Sequence, residues 1–286
     1  MTDRIKLTYR WNDGKHLTLG EKSLIMGILN VTEDSFSDGG RWNTLDKALR
    51  HALAMAEEGA DIIDIGAESS RPGFVPISAE EEMERLLPFV RHIVPELSVP
   101  VSVDTFKART ADEAIAAGAH IINDIWGLQY AEEPGEMAAV AARHEVPVIV
   151  MHNRTDTNYV GDILDSIENF FRKSIGQALT AGVKQDRLVL DPGIGFGKTT
   201  EQNLYVMRHL ARLKNIDGKA YPMLLGISRK SFIGNTLDLP VDERLEGTIA
   251  ATVVGQLAGV EIHRVHDVKE VCRAVRLVDA IYGRPF

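Results

Sequence analysis

The chain of 286 residues is 44% hydrophobic and carries a formal net charge of -9, a balance that suits a folded protein with a sizeable core and excludes a disordered one. The same acidity argues against a general nucleic-acid binder, which needs a basic field, while a small anionic ligand in a locally positive pocket stays admissible. A single cysteine, Cys272, excludes an internal disulfide and a cysteine-cluster metal site and fits a reducing, cytoplasmic setting.

The first twenty residues alternate as a β-hairpin, with Ile5, Leu7 and Tyr9 on one strand, the turn formers Asn12, Asp13 and Gly14, then Leu17 and Leu19 on the other. No apolar leader precedes them, and no run approaches the roughly 18 apolar residues of a membrane span, so a soluble protein with no membrane partner is expected. Short Val- and Ile-rich runs then alternate with segments of helical period. The runs cover residues 24–30, 61–66, 100–104, 120–124, 147–152, 187–191, 223–227 and 261–265. A helix-stop-strand unit recurs as EGADIIDI (58–65), AGAHIIND (117–124) and AGVEIHRV (258–265). Cys272, flanked by Val271, Arg273, Ala274 and Val275, falls in an apolar helical segment after the last run and reads as a buried structural thiol.

Strands separated by crossover helices lie parallel, and buried parallel strands read as continuous apolar runs. Eight such units in a chain of this length predict an α/β protein, a (β/α)8 TIM barrel preceded by a hairpin, with residues 1–286 as one domain. A doubly wound open sheet is the alternative; it would show fewer strands and a glycine-rich turn after the first.

In a barrel the functional groups belong at the C-terminal strand ends. The runs end with Asn30; Glu68 to Arg71; Asp104 and Thr105; Asn123 and Asp124; His152 and Asn153; Asp191; Ser228 to Lys230; and Arg264 to Asp267. A polar residue at a strand end is often a helix N-cap, and Asp124 and Asp267 are read that way. The remainder divides in two. Arg264, His266, Lys230 and Arg71 suit a phosphate group, and Asp104, Asn123 and Asp191 suit a heterocycle with several N–H and C=O groups. A polar heterocycle carrying phosphate fits both sets.

Two motifs fail on spacing. GIGFGKTT (193–200) lacks the P-loop's first glycine, since Pro192 stands there, and it does not complete the dinucleotide fingerprint; its alternate glycines still allow close backbone approach to a ligand. The histidines offer no paired zinc ligands, and His263 and His266 fall in different environments.

Seven segments in order resemble the dihydropteroate synthase family: GILNVTEDSFSDGG (27–40), DIGAESSRPG (64–73), SVDTFK (102–107), INDIWG (122–127), LDPGIGFGKT (190–199), GISRKSFIG (226–234) and RVHDV (264–268). The resemblance spans about residue 23 to the C-terminus. It implies a cytoplasmic, commonly homodimeric barrel enzyme that condenses 6-hydroxymethyl-7,8-dihydropterin diphosphate with 4-aminobenzoate, releasing pyrophosphate and passing through a pterin carbocation. It further implies that Asp104, Asn123, Asp191 and Lys230 hold the pterin in a pocket lined by Met151 and Phe196. Asn30, Arg264 and His266 would hold the diphosphate, with Asn30 also a ligand of Mg2+. Ser70, Arg71, Pro72, Ser228 and Lys230 would surround the aminobenzoate. Phe36 and Asp38 belong to the first loop, Asp38 facing the cationic intermediate or the metal. Of these, Asp104, Asp191, Lys230, Arg264, His266 and Asp38 carry the catalytic roles, and sulfonamides are expected to compete as aminobenzoate mimics.

The sequence departs from the family pattern at Glu33, where proline is usual, at Ala67, where glycine is usual, and at Ser70, where threonine is usual. A catalytically silent pterin-binding paralogue would keep the same barrel. A pterin-binding methyltransferase domain would lack SFSDGG (35–40) and the SRK motif (228–230).

Overall fold

In the computed structural model, which describes residues 4–31, 41–68 and 76–285, the chain opens with an antiparallel hairpin of β1 (Leu7–Arg10) and β2 (His16–Leu19). Its turn is closed by hydrogen bonds between Trp11 and Lys15 and between Gly14 and Trp11. Ile5 precedes the paired residues rather than joining them.

Eight parallel strands follow: β3 (Leu24–Asn30), β4 (Ile62–Gly66), β5 (Val101–Asp104), β6 (Ile121–Asp124), β7 (Val148–Met151), β8 (Leu188–Asp191), β11 (Leu224–Gly226) and β12 (Ile262–Val265). Between β8 and β11 lies a two-residue ribbon, β9 (Asn215–Ile216) with β10 (Lys219–Ala220). The order in the main sheet is β11-β12-β3-β4-β5-β6-β7-β8, and a bridge from Leu190 to Met223 closes the circle. The barrel expected from the apolar runs is therefore the observed architecture, and each observed strand lies within its expected run.

The helices are α1 (Arg41–Glu57), α2 (Ala79–Ile93), α3 (Ala108–Ala116), α4 (Glu136–His144), α5 (Ile163–Ala181), α6 (Thr200–Arg208), α7 (Leu210–Leu213), α8 (Ser231–Leu237), α9 (Leu245–Leu257) and α10 (Val268–Ile281). Their ends obey local chemistry. Ser78 and Asp162 cap α2 and α5 through their side chains, and Thr199 with Gln202 forms a capping box on α6. Gly59, Gly118 and Gly259, the recurring stops of the sequence, all take left-handed backbone at φ 108°, 110° and 91°. Among the described residues, no helix is long and apolar enough to cross a membrane.

Side chains alternate between the two faces of each strand, so the barrel interior is read at every second residue. At its lower end Leu24, Met26, Ile62, Ile121, Ile149, Val189, Leu224 and Ile262 pack with Tyr9, Leu17 and Leu19, so the hairpin plugs the barrel floor. The outward residues pack beneath the helices in two further clusters, with Ile63, Val101 and Val103 in one and Val148, Leu188 and Leu225 in the other. Cys272 is buried there, its Sγ 3.7 Å from the Gly59 carbonyl oxygen. Two residues further along the inward face the apolar floor gives way to Asp64, Ser102, Asn123, Asp191 and Arg264. This change of layer positions the site.

Candidate functional site

Arg264, on β12, is the hub of the polar layer. Its Nε donates to Asp64 Oδ2 at 2.6 Å and its Nη2 to Asp104 Oδ2 at 2.7 Å, while Asn123 Nδ2 donates to the same Asp64 oxygen at 3.1 Å. Parallel register makes this possible: Asp104 pairs with Asn123 on β6, and Asp64 pairs with Ser102 on β5. Burial opposes the guanidinium charge, and Asp64 with Asp104 outweighs it, so Arg264 stays a cation. Burial first, and Asp64 next door in addition, push the Asp104 carboxyl up to about 7 against the pull of Arg264.

Two strands from Arg264 around the barrel, Asp191 is buried at the end of β8, its Oδ1 accepting the Gly193 N–H at 2.8 Å. Burial raises its pKa, opposed chiefly by Lys230. Lys230, at the N-cap of α8, donates to the Ile194 carbonyl and sets its ammonium 4.6 Å from the centroid of the Phe196 ring. Burial lowers it to about 8 against the attraction of Asp191. The alternate glycines Gly193, Gly195 and Gly197 all have positive φ (65°, 87° and 53°), and a side chain at Gly195 would meet the Lys230 chain. Met151 is buried with Phe106 and Ile125, and Trp126, Tyr130 and Phe196 pack on them, giving the pocket one apolar wall.

At the mouth Ser228 is buried and its Oγ lies 3.0 Å from Nδ1 of the exposed His266, whose backbone N–H it accepts at 3.2 Å. Asn30 ends β3 and is exposed. Of the predicted residues, Asn30, Asp104, Asn123, Met151, Asp191, Phe196, Ser228, Lys230, Arg264 and His266 thus belong to one end of the barrel. Phe36, Asp38, Ser70, Arg71, Pro72 and the substituted Glu33 lie outside the described residues.

Two expectations need correction. Asp124 caps no helix: its carboxylate accepts from Trp126 N at 2.8 Å and Leu128 N at 2.7 Å, closing the turn after β6, and α4 begins only at Glu136. Asp267 stands at the N-cap position of α10 but makes no capping bond, since its carboxylate pairs with Arg229. Arg264, expected to help hold the diphosphate, is in addition bonded to two carboxylates, Asp64 and Asp104.

Three further buried groups, Asp64, Lys107 and Lys198, are not strand-end residues of the kind the sequence points to. Asp64 lies within β4, and its inward parity with Gly66 is the signal that would have found it. Lys107 is buried against Glu68 and lies 3.3 Å from Glu82 of α2. Lys198 and His152 form a buried pair at 2.9 Å.

A parallel barrel whose floor is apolar, whose next layer carries acidic and amide groups, and whose mouth carries donors and a cation has the form of an enzyme that reads a nitrogen heterocycle. Residues 26–266 match the family of pterin binding enzymes. The chain is 52% identical to the dihydropteroate synthase of Bacillus subtilis over 94% of its own length and 92% of the relative's. It superposes with a TM-score of 0.87 on the Clostridium difficile dihydropteroate synthase crystallised in the presence of pteroic acid, at 50% identity, covering 92% of this chain and 98% of that one. The Xanthomonas albilineans dihydropteroate synthase in complex with 7,8-dihydropteroate gives 0.84 at 38% identity, with coverages of 96% and 98%. The chain belongs to the dihydropteroate synthase family.

Proposed function

We propose that the barrel mouth joins 6-hydroxymethyl-7,8-dihydropterin diphosphate to 4-aminobenzoate, giving 7,8-dihydropteroate and pyrophosphate. The observation that carries this reading is the single polar layer in which Asp64, Asp104 and Asn123 gather on Arg264, with Asp191 and Lys230 beside it at one end of the barrel. Asp191 and Asn123 read the amino-pyrimidine edge, and Met151 and Phe196 bracket the ring. Arg264 and His266 receive the diphosphate. Ser228 and Lys230 face the aminobenzoate, together with the second-loop residues Ser70, Arg71 and Pro72.

In the reaction the C–O bond at the pterin methylene breaks and its electron pair leaves with pyrophosphate. The carbon left behind is cationic and conjugated to the ring, and in this reading the Asp104 and Asp191 carboxyls stabilise it. The aminobenzoate nitrogen then forms the new C–N bond and loses a proton to solvent. A neutral aromatic amine needs no strong base, which fits a site built of carboxylates, amides and cations.

Asn30 offers one neutral oxygen at the exposed mouth, and among the described residues no group of three His, Cys, Asp or Glu could hold a metal. This donor set fits Mg2+ as that ion is commonly held, with one or two protein ligands beside substrate phosphates and water. When bound there it would supply charge neutralisation to the departing diphosphate.

The same reading extends to a cytoplasmic enzyme, inhibited by sulfonamides, that works as a homodimer. Adjacent helices α9 and α10 expose Val254 at 48%, Leu277 at 63% and Ile281 at 69%, an apolar face suited to a second copy. Light scattering at twice the monomer mass supports the dimer, and a monomer at micromolar concentration contradicts it.

The test of function mixes both substrates with Mg2+ and follows pyrophosphate. Release that requires aminobenzoate and yields dihydropteroate by mass spectrometry supports the reading. A folded sample that binds the pterin but releases nothing would indicate a silent paralogue, and methyl transfer in place of condensation would indicate the other rival.

A further inference from the structure

Lys198 closes the glycine-rich stretch that resembles a phosphate-binding loop, yet its ammonium is bonded to groups of the protein itself. The residue is 8% exposed. Its Nζ donates to the Gly193 carbonyl at 2.8 Å and the Phe196 carbonyl at 3.0 Å and lies 2.9 Å from His152 Nδ1. An ammonium has three N–H donors, and here three neutral acceptors match them. No carboxylate lies within ion-pair distance of it among the described residues.

The acceptors sit at two places that otherwise share no covalent segment. His152 follows β7, where its backbone N–H is held by the Asp191 carbonyl. Gly193 and Phe196 are the two ends of the turn after β8, joined by a hydrogen bond from Phe196 N to Gly193 O at 3.1 Å. The turn then distributes what Lys198 holds. Gly193 donates its N–H to Asp191 Oδ1, Ile194 receives the ammonium of Lys230, and Phe196 presents its ring to that same ammonium. The turn is also pressed against its neighbour, since a side chain at Gly193 would run into the His152 carbonyl oxygen.

Burying an ammonium among neutral acceptors is unfavourable compared with leaving it in water. A lysine at this place therefore does little for stability that an apolar side chain could not do, and its value lies in fixing three particular groups. We propose that Lys198 is a positioning residue of the pterin site, tying the Gly193–Phe196 turn to His152 so that Asp191, Lys230 and the Phe196 ring keep the geometry that grips the heterocycle. The inference rests on the pterin reading of this layer.

Lys198→Met keeps the length of the chain and removes all three donors. Calorimetry with the bare pterin heterocycle should show affinity lowered about 10- to 100-fold, the loss expected for hydrogen bonds to a charged group. The KM for aminobenzoate should change clearly less than the pterin affinity, because of its assigned contacts only Lys230 is held by the turn, whereas Ser228 is bonded to His266. His152→Ala removes one acceptor and should act in the same direction less strongly, and the double variant should be far from additive because the two residues touch. Where Lys198→Met does not fold, His152→Ala carries the same comparison. Wild-type pterin affinity in a folded Lys198→Met or His152→Ala protein overturns the proposal, as does an equal change in pterin affinity and aminobenzoate KM, the mark of a merely structural lysine. A wild-type protein that binds no pterin overturns the reading of the site itself and the inference with it.

Discussion

Asp64→Asn is the substitution that bears most sharply on the polar layer. It keeps the shape of the side chain and removes the charge that meets Arg264 Nε at 2.6 Å and Asn123 Nδ2 at 3.1 Å. Asp64 is fully buried, and among the described residues its Oδ1 has no hydrogen-bond partner, so water exposure does not soften the change. Removing one partner of a buried ion pair usually destabilises by about 3–5 kcal/mol, and because Asp104 still holds the guanidinium the loss here should fall to about 2–3 kcal/mol. At roughly 2–4 °C per kcal/mol in a domain of this size, the melting temperature should drop by about 5–10 °C. Turnover should fall by about tenfold or more, since an error of about 1.4 kcal/mol in the placing of Arg264 is already a factor of ten. The Asp104 carboxyl, relieved of a neighbouring negative charge, should ionise at lower pH than in the parent chain. Calorimetric melting and pyrophosphate release measure the first two effects, and the pH profile of pterin binding measures the third. A variant that melts within about 2 °C of the parent and turns over within about twofold would refute the role given to Asp64.

Asp104 also makes stability depend on pH. Its folded pKa of about 7 lies above the ordinary 3.8, so between these values the folded chain keeps a proton that the unfolded chain has lost. Stability should therefore fall as pH rises through that window and level off above it. Melting curves of Asp104→Asn should show a shallower decline, and a parallel pH profile would contradict the assignment. Lys107→Met strands the Glu68 and Glu82 carboxylates in a buried place, and denaturant unfolding should show a loss of about 3–5 kcal/mol. A change below about 1 kcal/mol would mean that the two acids are protonated or hydrated without the lysine.

The barrel was legible because buried parallel strands must be apolar throughout, and because glycine at positions 59, 118 and 259 meets a left-handed helix stop that other residues enter at a cost. The candidate site was legible where a polar side chain ended an apolar run, as at Asp104, Asn123 and Asp191. Asp64 was hidden by the same rule, since it lies inside its strand and only the inward parity of β4 reveals it. Lys198 was hidden because the failed P-loop match gave it no role, and one of its acceptors, His152, comes from another strand. Arg264 is paired with an aspartate on β4 and another on β5, and no local pattern carries information about partners so distant along the chain. For Asp124 the local pattern misled, because the carboxylate closes a turn long before α4 begins.

If the polar layer is a pterin site, recognition there depends on Asp191. Titration of the bare pterin heterocycle into the parent protein and into Asp191→Asn by calorimetry tests it most directly. The parent should bind and the variant should bind about 10- to 100-fold more weakly, because an acceptor-only carboxylate aligned by Gly193 becomes an amide. Equal affinity in a variant that melts like the parent would contradict that dependence.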